Sequence, residues 1–136
     1  MMIRSGALVC ALALAACATG KGPARDLADP SVQRLLIMPT PAYYATLTLA
    51  AQVAQNCARY RYDAELDSLM NERRNALGHG SLSAHAQRSA ITVETDVSQR
   101  SFMAKHGVTL QGADLCPAAD AEILQGSALG ALLVPL

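Results

Sequence analysis

Apolar positions in this chain are of two kinds. One continuous run stands near the start, and interrupted stripes at three- and four-residue steps follow it. The run, Gly6 to Ala16, follows the positive Arg4. It is too short for a membrane-spanning helix, which needs about 20 apolar residues. Ala18 to Pro30 then mixes small and charged residues with Gly20, Gly22 and Pro23, and reads as a tether. Ser31 to Met38 predicts a short helical turn carrying Leu35, Leu36 and Ile37, ended by Pro39-Thr40-Pro41. From Tyr43 to Cys57 the spacing of Leu47, Ala50, Ala51, Ala54 and Ala58 predicts a helix. Arg59-Tyr60-Arg61-Tyr62 alternates and predicts an extended break. Asp63 is a suitable cap for a helix with Leu66, Leu69, Met70 and Leu77 on its apolar face, ended by Gly78 and Gly80.

Ser81 or Ser83 would cap the next helix. Its stripe is Ala86, Ala90, Val93, Val97 and Ala104, closed by Gly107 and weakened by Thr92, Val93 and Thr95. Val108 to Leu115 reads as a loop, and Pro117 suits a first helical position. A single last helix is predicted from about Ala118 to Leu133, burying Ile123, Leu124, Leu129, Leu132 and Leu133. Its Gly126-x-x-x-Gly130 spacing resembles a membrane packing motif, but Asp120, Glu122 and the short apolar run favour packing inside a helical domain. The fold class expected is all-α, a small bundle of about four helices with one long-range disulfide. The expected organisation is a leader over 1–16, a modified N-terminus and tether over 17–41, and a helical domain over 42–136.

The leader ends in Leu14-Ala15-Ala16-Cys17. This resembles the lipobox of bacterial lipoproteins: an aliphatic residue, two small ones, then cysteine. The resemblance implies cleavage before Cys17 and a diacylglyceryl group on its thiol. A further acyl chain would sit on the freed amine. Cleavage as an ordinary secretory leader after Ala13-Leu14-Ala15 is the plainer alternative. At about 0.8 kcal/mol per buried methylene, two or three chains make a durable membrane anchor. By the sorting rule for such lipoproteins, Ala18 in place of aspartate points to the outer membrane of a Gram-negative cell.

Cysteine use agrees with an exported chain. Of four cysteines, Cys10 leaves with the leader and Cys17 takes the lipid, so Cys57 and Cys116 remain as an even pair. One structural bridge is the simplest reading. Two unpaired thiols, a redox pair or half of a metal site are the alternatives, although neither Cys-x-x-Cys nor clustered ligand spacing is present. Composition supports helices: the core must come from Ala, Leu, Val, Ile and Met, because there are four Tyr, one Phe and no Trp. Net charge is zero, and loss of Arg4 leaves about −1, so no basic field exists for nucleic acid.

A second resemblance covers roughly Val53 to Leu133. It rests on Cys57, Ala76-Leu77-Gly78 with a serine-capped helix after it, His106-Gly107-Val108, Cys116, and Ala121-Glu122-Ile123-x-x-Gly126-Ser127-x-x-Gly130-x-Leu132-Leu133. This pattern resembles a family of short exported alphaproteobacterial helical proteins of unknown function. It implies an all-helical fold with the two cysteines paired, and no activity. Here Ala58 stands where the pattern expects proline, and the loop at His79-Gly80 is longer.

Candidate chemistry is sparse. His79, His85 and His106 form no His-Glu-x-x-His motif, and His106, ending a helix, suits a capping cation. Ser127 lies outside any Gly-x-Ser-x-Gly and reads as a helix-packing serine. Arg59, Arg61, Arg73 and Arg74 are a basic cluster interleaved with Tyr60 and Tyr62, able to grip an anion, yet Asp63, Glu65, Asp67 and Glu72 balance it locally. Glu122 would reach Arg59 or Arg61 if the disulfide draws Cys57 alongside. The functional expectation is a lipid-anchored, non-enzymatic envelope module that contacts an envelope protein, with no cofactor and no metal. The alternatives are a small periplasmic hydrolase or peptidoglycan-active enzyme using Glu122 in a cleft, and a carrier of a small apolar ligand.

Overall fold

A computed structural model of the chain describes residues 23–136, the side chains of 81–83 excepted. The leader and Cys17 lie outside the described residues. In order come α1 (Pro30–Ile37), α2 (Thr40–Gln55), β1 (Tyr60–Tyr62), α3 (Ala64–Ala76), α4 (Ser81–Ala86), α5 (Arg88–His106), α6 (Cys116–Leu124), α7 (Ala128–Ala131) and β2 (Leu133–Pro135). The fold is mostly helical with a Cys57–Cys116 disulfide. It departs from an all-α bundle of about four helices: there are seven helices among the described residues, and β1 pairs antiparallel with β2.

Local chemistry explains the early elements. Asp29 caps α1 by accepting the Ser31 N–H at 2.8 Å, and Pro30 opens the helix with its fixed φ. Val32 and Leu35 of α1 are fully buried, so part of the stretch read as a tether belongs to the core. Pro41 does not break α2. It stands in that helix's first turn, where a missing N–H costs nothing. The break lies at Met38-Pro39, between the two helices. Asp63 caps α3 as its sequence suggests, accepting the Leu66 N–H at 3.0 Å. Its other oxygen accepts the Ala24 N–H at 3.0 Å, which straps the N-terminal segment to the domain.

Two helix readings are corrected. The stripe of Ala86, at the end of α4, and Ala90, Val93, Val97 and Ala104 on α5 faces solvent, with Val93 64% and Val97 49% exposed. The packed side carries Ile91, Thr95, Ser98 and Phe102, against α2. Phe102 decides this. At about 100° per residue it points some 140° from Val97 and 180° from Val93. One aromatic buries more area than two exposed valines lose. The predicted last helix is instead α6, a turn, α7 and β2. Gly126 adopts φ +60° and ends α6. Ser127, read as a packing serine, caps α7 by accepting the Gly130 N–H at 2.9 Å. Leu124, expected in the core, is 89% exposed. Gly130 is needed for another reason: a Cβ there would stand 2.5 Å from the Glu122 carbonyl oxygen. No helix among the described residues is long and apolar enough to cross a membrane.

Candidate functional site

The loop after Gly107 turns the chain back, so α6 comes to lie beside the end of α5. The last two residues of α5 are the basic Lys105 and His106, and the Lys105 charge stands where the helix dipole favours it. Both meet Glu122 of α6. Lys105 Nζ and His106 Nε2 each lie 2.7 Å from Glu122 Oε1. The Glu122 and His106 side chains are nearly fully enclosed, whereas Lys105 is about half-exposed. The His106 ring also packs on Phe102, with centroids 4.6 Å apart. Burial alone would raise the Glu122 carboxyl. Hydrogen bonds from Lys105, Ser127 and His106, together with the Lys105 charge, outweigh it and hold the group below the ordinary carboxylate range.

Beside this cluster is a small open pocket of about 290 Å³. Leu49, Phe102 and Leu129 give it an apolar floor, and Ser98, Ser101 and Lys105 line it with Glu122.

The expected Glu122–arginine pair is not formed. Arg59 Nη2 instead meets Asp120 Oδ2 at 2.6 Å, and the Tyr60 hydroxyl donates to Asp120 Oδ1 at 2.6 Å. Residues two apart on a helix point about 200° from one another. Asp120 therefore faces β1, while Glu122 faces α5. Hydrogen bonds from Tyr60 and Arg59 lower the Asp120 carboxyl. Arg61 lies 3.9 Å from Glu65, an exposed pair.

The rest of the arginine cluster splits. Arg74 is 1% exposed and donates from Nη1 to the carbonyls of Leu35 and Leu36 at 2.9 Å, capping α1. Its guanidinium lies 4.1 Å from the Tyr43 ring centroid. The cluster is thus no single anion-gripping surface. His106, expected as a capping cation, is a buried partner of a carboxylate, whereas exposed His85 pairs with Arg88 at 3.0 Å. The legible signal for the Glu122 site was Lys105-His106 just before a closing glycine, followed by a carboxylate on the next helix.

The Cys57–Cys116 bridge ties the end of α2 to the start of α6, with Cα atoms 4.8 Å apart. Asp114 offers a carboxylate within 4.8 Å of both sulfurs, but these are bonded to each other and present no thiolate. The chain matches no protein-family profile, no curated protein and no solved structure.

Proposed function

We propose that the chain is a lipid-anchored envelope protein of the short exported helical type, and that its domain is a non-enzymatic module binding another envelope protein at the membrane surface. The observation that carries the interaction reading is the outer face of α5. Ala90, Val93 and Val97 stand at three- and four-residue steps, Ala104 follows seven residues on, Ala86 at the end of α4 precedes them, and all are left uncovered by the chain's own core. Such a seam suits a partner helix with an apolar stripe. The anchor sets where that partner must be. Asp63 holds the chain at Ala24, and the seven residues from Cys17 to Pro23 span at most about 25 Å. The partner face therefore lies close to the bilayer.

Two measurements test this. Intact mass of the membrane-extracted protein should show acyl chains on a chain beginning at Cys17, and Cys17→Ala should release it to the soluble fraction. A photocrosslinker at position 97 in living cells should capture an envelope protein, and Val93→Asp should abolish the capture. A native mass without lipid defeats the anchor. Crosslinks only between copies of this chain, or none, defeat the partner.

The hydrolase alternative has less support. A carboxylate held ionised by the Lys105 charge and by hydrogen bonds from Lys105, Ser127 and His106 is a weak proton donor near neutral pH.

A further inference from the structure

Strand β1 pairs with β2 along one edge only. The register sets Arg61 opposite Val134. The flanking bonds run from the Leu136 N–H to the Arg59 carbonyl at 3.0 Å and from the Asp63 N–H to the Leu132 carbonyl at 2.9 Å. Bonded pairs alternate along an antiparallel ladder, so the backbone groups of Arg59, Arg61 and Asp63 turn toward β2 and those of Tyr60 and Tyr62 turn away. The Tyr60 N–H is taken by the Cys57 carbonyl at 3.4 Å. The Tyr62 N–H and the Tyr60 and Tyr62 carbonyls have no partner among the described residues.

Beside that edge runs an open groove of about 640 Å³, lined by Tyr60, Arg61 and Tyr62 and, from the end of α2, by Ala51, Ala54 and Gln55. Tyr60 and Tyr62 project to one face of the strand and Arg61 to the other, so all three border one groove only along the edge. The alanines keep the helix side of the groove clear. A groove between a helix and an unpaired strand edge suits strand addition, in which main-chain bonds hold an extended peptide.

We infer that this groove binds an extended segment of another polypeptide as a third strand, with Glu or Asp opposite Arg61 and an apolar residue on either side of it. Opposed residues share a face of a sheet. The acid therefore meets the Arg61 guanidinium, whose own partner Glu65 stands 3.9 Å away, and the apolar neighbours meet Tyr60 and Tyr62. A second copy of β1 does not suit the edge, because it would set arginine against arginine. The site shares no residue with the α5 outer face or the anchor, so it is tested separately from both.

The test uses the full exported chain in lipid nanodiscs and a fluorescein-labelled peptide, Gly-Thr-Val-Glu-Val-Thr-amide, read by anisotropy. Amide exchange at Tyr62 is followed at saturation. Saturable binding and slowed Tyr62 exchange are expected. Lysine in place of the peptide glutamate should weaken binding about fivefold, the scale of an exposed ion pair. N-methylation of both peptide valines removes the donors to the Tyr60 and Tyr62 carbonyls and should weaken it about tenfold or more. Arg61→Glu, at an exposed position, should fold and should prefer the lysine peptide. No saturable binding by the folded wild-type chain overturns the inference. So does equal binding of the N-methylated peptide, unchanged Tyr62 exchange at saturation, or an Arg61→Glu protein that still prefers the glutamate peptide. A dimer of the chain that protects the Tyr62 amide without peptide overturns it as well.

Discussion

Helix α5 and the corner made by α6, α7 and β2 border the same core and are held in it by different means. The corner is fixed several times over: by the disulfide at Cys116, by the β1–β2 pairing, by the Ser127 cap and by the close approach of Gly130 to the Glu122 backbone. Leu129, Ala131, Leu132 and Leu133 are all buried there. Helix α5 is longer, yet Phe102 is its one buried residue. Its inner side lies along α2 through the half-buried Ile91, Thr95 and Ser98, and its polar ties are the Gln99–Gln52 hydrogen bond at 2.8 Å and the Lys105 and His106 contacts with Glu122. Element length thus says little about how firmly a segment is held; the number of independent constraints does. Helix α5 also carries the uncovered stripe and one wall of the pocket.

Removing the bridge with Cys57→Ala/Cys116→Ala should have the largest effect. The loop it closes spans 59 residues, so the loss is about 4 kcal/mol in the chain-entropy account, read from denaturant midpoints. A loss under about 1 kcal/mol would show the corner to be held without it. Phe102→Ala should cost about 3 kcal/mol or more and should separate the two regions. Amide exchange across α5 should speed up while α2 and the β1–β2 pair stay protected. Uniform acceleration would mean that α5 and the corner open as one unit. Gly130→Ala should cost about 1–3 kcal/mol, because its methyl group meets backbone rather than a side chain that can move.

Smaller still is the acid dependence of the Glu122 cluster. Its folded carboxyl lies below the unfolded value of about 4.3, so its stabilisation is full above that pH and is lost as pH falls through the folded value. Glu122→Gln should flatten the decline in melting temperature below about pH 4.3, the rest of the decline coming from Asp29 and Asp120, which are also lowered. An unchanged slope would remove Glu122 from the tie between the regions. The smallest effect belongs to the exposed Arg100–Asp96 pair on the outer turn of α5. Arg100→Ala should change stability by less than about 0.5 kcal/mol, and a larger change would mean α5 is held from its solvent side.

Much of the fold was legible because its signals are local. The Asp63 cap, the extended Tyr60–Tyr62 segment, the closing Gly78 and Gly107, and the even pair of late cysteines each act within a turn or follow from counting. The inner face of α5 was not, since a stripe of alanines and valines outnumbers one phenylalanine in any periodicity and loses to it in buried area. Nor was the break at Gly126-Ser127, where the apolar spacing runs on through a glycine whose positive φ only the packed chain requires.

The order of residues alone determined the helical bias and the positions of most caps, because these depend on neighbours along the chain. Tertiary structure decided which side of α5 is inside, that the last residues of the chain return to pair with β1, and that Glu122 meets Lys105 and His106 while Asp120 takes Arg59. Those outcomes turn on how far one helix is rotated against another. A rotation is set by the whole core at once, and no short stretch of sequence encodes it.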